Sequence, residues 1–227
     1  MRSSRGVLRK VWIIAAKDIA AELHTREVVG AMLLFAVLAA LLFSFALDLS
    51  GPLARAAAPG VLWVTVALAG MLGLGRSLGR EKQTGSIDGL RLAPVDPSLL
   101  LAGKALGNLI FILVVAGAML LLLSALFGVP MVRWDVLVVT GVGLIGYACV
   151  GTLLAAMVVN TRAQEVMLPV LLLPLAVPVL LPAVQATGQL LDGAALADVG
   201  EWLRLLVVYD LVILAVALVT FEYVIEE

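Results

Sequence analysis

Six apolar stretches, at about residues 27–47, 56–77, 105–127, 135–159, 165–187 and 203–223, fill most of this 227-residue chain and leave only short polar connections. A helix rising ~1.5 Å per residue needs about 20 apolar residues to cross ~30 Å of hydrocarbon. Inside hydrocarbon every backbone N–H and C=O must be paired within the segment, so stretches of this length fold as helices. With 63% hydrophobic and 14% charged residues and a mean hydropathy of +1.15, the chain falls outside the soluble range. The expected fold is all-α and integral to the membrane, a single transmembrane domain over 1–227 with six transmembrane helices and no room for a soluble domain. The first stretch follows a charged N-terminal segment and is succeeded by five more, unlike a cleaved signal peptide.

Basic residues orient the spans. The N-terminal segment carries Arg2, Arg5, Arg9, Lys10, Lys17 and Arg26, and the second connection carries Arg76, Arg80, Lys82, Arg91 and Lys104. Arg162 follows the fourth stretch, whereas Arg55, Arg133 and Arg204 are divided among the other three connections. This asymmetry puts both termini and the 78–104 loop in the cytoplasm. Trp63, Trp134 and Trp202 then fall at outer ends of spans, as an interfacial aromatic belt would place them. Residues 183–202, mixed in character, are expected outside as a short re-entrant or interfacial helical piece.

Residues 7–23 alternate apolar and charged positions: Leu8, Val11, Trp12, Ala15, Ile19 and Leu23 recur at helical spacing among Arg9, Lys10, Lys17, Asp18 and Glu22. This predicts an amphipathic helix at the cytoplasmic interface, either a simple anchor or part of a cytoplasmic collar. Glu22 and Arg26 are spaced for an i,i+4 pair. Gly103 and Gly107 form a small-xxx-small pair at the start of the third stretch. Gly141, Gly143 and Gly146 formally match a dinucleotide-binding fingerprint, but mid-membrane they are read as helix-packing residues. Pro169, Pro174, Pro178 and Pro182 interrupt the fifth stretch, which is expected to kink and to face protein.

Polar residues inside the spans are few, and three of them are candidates for a role. Lys104, near an inner end, has the reach to snorkel; Asn108 lies one turn deeper on the same face. Asp210, beside Tyr209, is a functional candidate by its intramembrane position, or else pairs with Arg204 or a partner subunit. Chemistry-bearing constellations are missing from the sequence. Gly103-Lys104 lacks the remainder of a Walker A motif, and a single histidine (His24) and a single cysteine (Cys149) make no metal cluster or C-x-x-C-H attachment site. The expectation is a chain that is not an enzyme, binds no metal or cofactor of its own, and does not engage nucleic acid.

The 78–104 loop carries the most specific pattern. Arg80-Glu81 followed by Gly85, Leu90, Pro94 and Gly103-Lys104 resembles the signature of ABC-2-type permeases, whose coupling helix docks into a separate ATPase. An acid near a helix start suits the macrodipole, glycine permits close backbone approach, and proline ends the element. More narrowly, REKQTGSIDGLRLAPVDP, the Asn160-Thr161-Arg162 to Glu165 junction and MLPVLLLPLAVPVLLP are similar to the heme exporter protein B (CcmB) family. The resemblance implies an ABC-2-type exporter architecture in a bacterial inner (cytoplasmic) membrane, surrounded by lipid. The implied partners are a cytoplasmic ABC ATPase that holds the ATP, a heme-handling membrane subunit, a small single-span subunit and, indirectly, a periplasmic heme chaperone. By the same resemblance, Arg80, Glu81, Gly85, Leu90 and Pro94 would shape the ATPase interface. Arg162 and Glu165 would add a second contact, and Lys104 and Asn108 would link the loop to the third span. Two alternatives stand beside it: an ABC-2 permease exporting a lipid, drug or polysaccharide, and a structural scaffold with no ATPase partner.

Overall fold

The computed structural model describes residues 4–46, 51–83, 97–159, 161 and 163–226. Among these the chain is helical almost throughout: α1 (Ser4–Thr25), α2 (Glu27–Ala46), α3 (Gly51–Gln83), α4 (Pro97–Phe127), α5 (Trp134–Val158), α6 (Gln164–Leu191) and α7 (Gly200–Glu226). Five helices, α2 to α6, hold described stretches long and apolar enough to cross a membrane. The sixth expected stretch forms most of α7, which packs along α5 and α6.

α3 and α5 form the inside of the bundle, with 67% of their apolar windows buried against 22% for α2. Small residues set this arrangement. Lipid is as apolar as leucine, so helices gain by approaching closely rather than by leaving water. Gly143 on α5 lies under the indole of Trp63, and Gly151 lies under Leu74. On α3, Gly70 receives the Tyr147 ring, and the Tyr147 hydroxyl donates to Ala67 O at 2.5 Å. Gly141, in contrast, faces open space, so only part of the glycine motif is a packing surface. α2 turns a narrow stripe inward, Val28, Met32, Ala36 and Ala40, while Leu34, Leu38, Leu42 and Phe45 face outward.

Helices overrun the apolar stretches. α3 continues through Arg76–Gln83 and α4 begins at Pro97, so both ends of the expected 78–104 loop are helical, and residues 84–96 lie outside the described residues. Hydropathy marks where hydrocarbon ends, but Arg, Glu, Lys and Gln are good helix formers and carry the helix on. For the same reason the 183–202 piece is not a separate element. α6 runs on to Leu191, a turn with Gly193 at φ 100 follows, and α7 starts at Gly200.

Trp63 does not belong to an interfacial belt. It is 1% exposed and its Nε1–H donates to Thr187 Oγ1 at 3.1 Å; Trp134 is the outward-facing tryptophan of the three. The proline helix also departs from expectation. Pro182 is buried, but Pro174 and Pro178 face away from this chain. Each proline leaves the carbonyl four residues earlier without its helical donor. The Tyr209 hydroxyl of α7 donates to Leu175 O at 2.5 Å, a carbonyl between two of these prolines whose residue four on, Val179, is not a proline.

Candidate functional site

One end of the bundle gathers the polar side chains. Gly103 and Gly107 lie one turn apart on α4 and leave a flat strip for α1. A Cβ at Gly103 would come within 2.6 Å of Ile14 Cβ and 3.1 Å of Val11 O, and one at Gly107 within 3.6 Å of Asp18 Cβ. On that strip Lys104 does not snorkel outward. It is 4% exposed and its Nζ donates to Asp18 Oδ2 at 2.8 Å. The enclosed ammonium is thereby matched with an opposite charge, which offsets part of the cost of its burial.

One turn further along α4, Asn108 Nδ2 donates to Thr152 Oγ1 of α5 at 3.0 Å. Thr152 in turn donates to Ala148 O at 2.7 Å. Asp18, Lys104, Asn108 and Thr152 thus make a polar seam from α1 across α4 to α5, through surroundings that are otherwise apolar. Glu22, one turn beyond Asp18 on α1, is also buried. Its carboxylate is aimed not at Arg26 but at Val29 N–H, at 2.8 Å, where it caps the start of α2. Arg26 alone separates the two helices, in a left-handed conformation (φ 54).

α1 therefore packs by Val11, Ile14, Ala15, Asp18 and Glu22, while Trp12, Ile13 and Leu23 are exposed. The apolar stripe read from the sequence, which ran through Trp12 and Leu23, is rotated from the face that packs. Asp18 and Glu22 were visible only as charges between apolar positions. Their shared spacing with Val11 and Ala15 was the available signal.

The remaining sequence candidates fall as follows. Arg80 and Glu81 occupy the last turn of α3, not the start of a helix, so the macrodipole argument for Glu81 does not hold there. Gly85, Leu90, Pro94 and Arg162 lie outside the described residues. Glu165 is exposed in the first turn of α6, a favourable end for an acid. Its neighbour Gln164 donates from Nε2 to Gly75 O at 3.3 Å, bringing the start of α6 beside α3. Asp210 does not turn to Arg204, which is exposed. Its carboxylate presses on Gly146 of α5, where any side chain would collide with it.

At the other end of α5, Arg133 donates to Asp135 Oδ2 at 2.6 Å and to Leu190 O at 3.2 Å, clasping α5 to the last turn of α6. Among the described residues no three His, Cys, Asp or Glu side chains converge as a metal site would require.

Residues 9–226, nearly the whole chain and the entire polar seam, match the family described as CcmB protein. The chain belongs to the CcmB family. Among its relatives, heme exporter protein B of Paracoccus denitrificans is 31% identical over 194 residues, covering 83% of this chain and 85% of that protein. Heme exporter protein B of Rhodobacter capsulatus is 29% identical over 174 residues, 74% of this chain and 77% of the relative. The Pseudomonas aeruginosa protein of the same name is 29% identical over 175 residues, 72% and 74% respectively. Membership in the CcmB family thus extends over α1 and the segment 84–96 as well as the apolar helices.

Proposed function

We propose that this CcmB-family chain is the membrane subunit of a heme-export complex for cytochrome c maturation, coupling a separate cytoplasmic ATPase to heme delivery. The relatives' name, heme exporter protein B, supports the heme assignment. In this reading α7 joins α2 to α6 as a sixth span, and both termini face the cytoplasm of a bacterial inner membrane. Arg80, Glu81, Gly85, Leu90 and Pro94 meet the ATPase, with Arg162 and Glu165 as a second contact on the same side. The chain performs no catalysis itself. ATP is bound by the ATPase, and heme by a heme-handling membrane subunit assembled with a small single-span subunit, from which a periplasmic chaperone is loaded and released.

The observation that carries the coupling role is the placement of Asn108. It lies three turns into the helix that follows the 84–96 segment and is hydrogen-bonded to Thr152, buried about two turns before the end of α5. A displacement delivered at 84–96 enters α4 and has a directional, buried contact through which to reach the inner helix.

Deletion of the gene, followed by heme staining of membranes for c-type cytochromes and the heme chaperone, tests the assignment. Loss of mature cytochromes with heme retained on the chaperone is expected; unchanged cytochromes in a strain with a single maturation system would refute it. Glu81→Lys, introduced into the intact complex, is expected to abolish the response of ATPase turnover to assembly while the protein still inserts. Full ATPase response in that variant would remove Glu81 from the interface.

A further inference from the structure

The seam described above has a branch that the coupling path through Asn108 does not use. α1 is tied at two points one turn apart: Asp18 to Lys104 of α4, and Glu22 to Val29 N–H at the start of α2. Between α1 and α2 there is one residue, Arg26; its N–H closes the last turn of α1 on Glu22 O (2.7 Å) and its carbonyl accepts from Gly30 N–H in the first turn of α2 (3.2 Å), so the contact that spans the junction is that of the Glu22 carboxylate with Val29 N–H. A single-residue junction spanned by that side-chain cap restrains the two helices from moving separately.

The Asp18–Lys104 pair is poorly suited to simple stabilisation. Both side chains are largely enclosed, 12% and 5% exposed, and the cost of stripping water from two charges cancels much of their attraction. An enclosed ion pair chiefly specifies position, and this placement of α1 along α4 brings Asp18 to 2.8 Å from Lys104, closer than the 3.9 Å to its exposed neighbour Lys17. The glycine strip makes the same demand sterically, since Ile14 fits only over the bare Cα of Gly103.

We infer that α1 is a rigid lever joining the start of α4 to the start of α2, and that Asp18 and Lys104 are its positioning residues. This rests on the coupling role proposed for residues 80–104. When the start of α4 is displaced, its first turns carry Lys104 with them, Lys104 draws Asp18, and α1 passes the shift through Glu22 and Arg26 to α2. The ATPase-driven displacement thereby reaches two sides of the bundle, α5 through Asn108 and α2 through α1.

The test uses the full complex, with spin labels on Cys substituted at Ala20 of α1 and Leu113 of α4 in a Cys149→Ala background. Asp18→Asn and Lys104→Gln are each expected to broaden the α1–α4 distance distribution and lower cytochrome heme incorporation at least five-fold, with membrane levels of the chain unchanged. The exchanged pair, Asp18→Lys with Lys104→Asp, is expected to restore a narrow distribution and most of the incorporation. That rescue separates positioning from a general packing loss, which exchange would not repair. Unbroadened distances in the single variants would overturn the lever while leaving the heme-export reading intact. Broadened distances with normal heme incorporation would show that α1 transmits nothing, and would overturn it equally. The deletion strain, run alongside, reports on the heme reading alone.

Discussion

Replacing Gly143 by valine should separate the packing role of the α5 glycines from their resemblance to a nucleotide motif. A Cβ at Gly143 would stand 2.7 Å from Trp63 Cη2, 3.2 Å from Cζ3 and 3.5 Å from Ala183 Cβ. Carbon atoms rest at about 3.5–4.0 Å, so either α3 or α5 must retreat by roughly 1 Å. The indole has little freedom to yield, since it is buried and its Nε1–H is held by Thr187 Oγ1. Overpacking of this kind costs about 1–3 kcal/mol, and the two further methyl groups of valine put the expected loss in the upper half of that range. The slightly better helix propensity of valine returns only a few tenths of a kcal/mol. At roughly 2–4 °C per kcal/mol for a chain of this size, the apparent melting temperature in detergent or nanodiscs should fall by about 4–10 °C. Gly141→Val is the control within the same motif, because nothing lies within 4 Å of a Cβ there; it should melt with the wild type. Trp63→Phe removes the two clashing ring atoms. It loses the hydrogen bond to Thr187, worth about 0.6–1.7 kcal/mol within a membrane, but in combination with Gly143→Val it should recover at least about 1 kcal/mol of the sum of the single losses. Equal damage from the two glycine substitutions, or strict additivity in the double variant, would refute the reasoning.

Two further substitutions address the polar contacts. Lys104→Met leaves Asp18 with only the half-exposed Lys17, 3.9 Å away, and should cost up to about 3 kcal/mol, whereas adding Asp18→Leu should recover most of that loss; thermal melts of the purified chain that ranked the double variant below the single one would contradict the pairing. Tyr209→Phe withdraws the donor to Leu175 O and should cost about 1 kcal/mol, lowering the thermal midpoint of the purified chain; an unchanged midpoint would mean that the hydroxyl contributes nothing to the packing of α7 on α6.

The sequence and the folded chain agree best where the physics is local. Membrane residence and helicity follow from the length of each apolar stretch, since unpaired backbone in hydrocarbon has no alternative to helix. The resemblance to the family was likewise carried by local strings, REKQTGSIDGLRLAPVDP and the proline-rich stretch, that need no neighbour to be recognised, and the family match extends over residues 9–226. Helix ends were less legible. Arg76–Gln83 and Val184–Leu191 read as connection because they leave the apolar window, yet nothing in them breaks a helix.

Side-chain direction could not be read at all without the neighbours. Trp63, Lys104 and Glu22 each carry a polar group that in isolation would turn toward water or headgroups. Each is buried because another helix supplies the partner it needs: Thr187, Asp18 and Val29 N–H, separated from it by 124, 86 and 7 residues. Apolar length alone therefore settles that this chain is a bundle of membrane helices, because the hydrocarbon imposes the same demand on every stretch. Which face of each helix is inside was decided only by the packed bundle. In lipid both apolar faces are equally comfortable, and the choice falls to a few glycines that let backbones meet and a few polar atoms that must find one another.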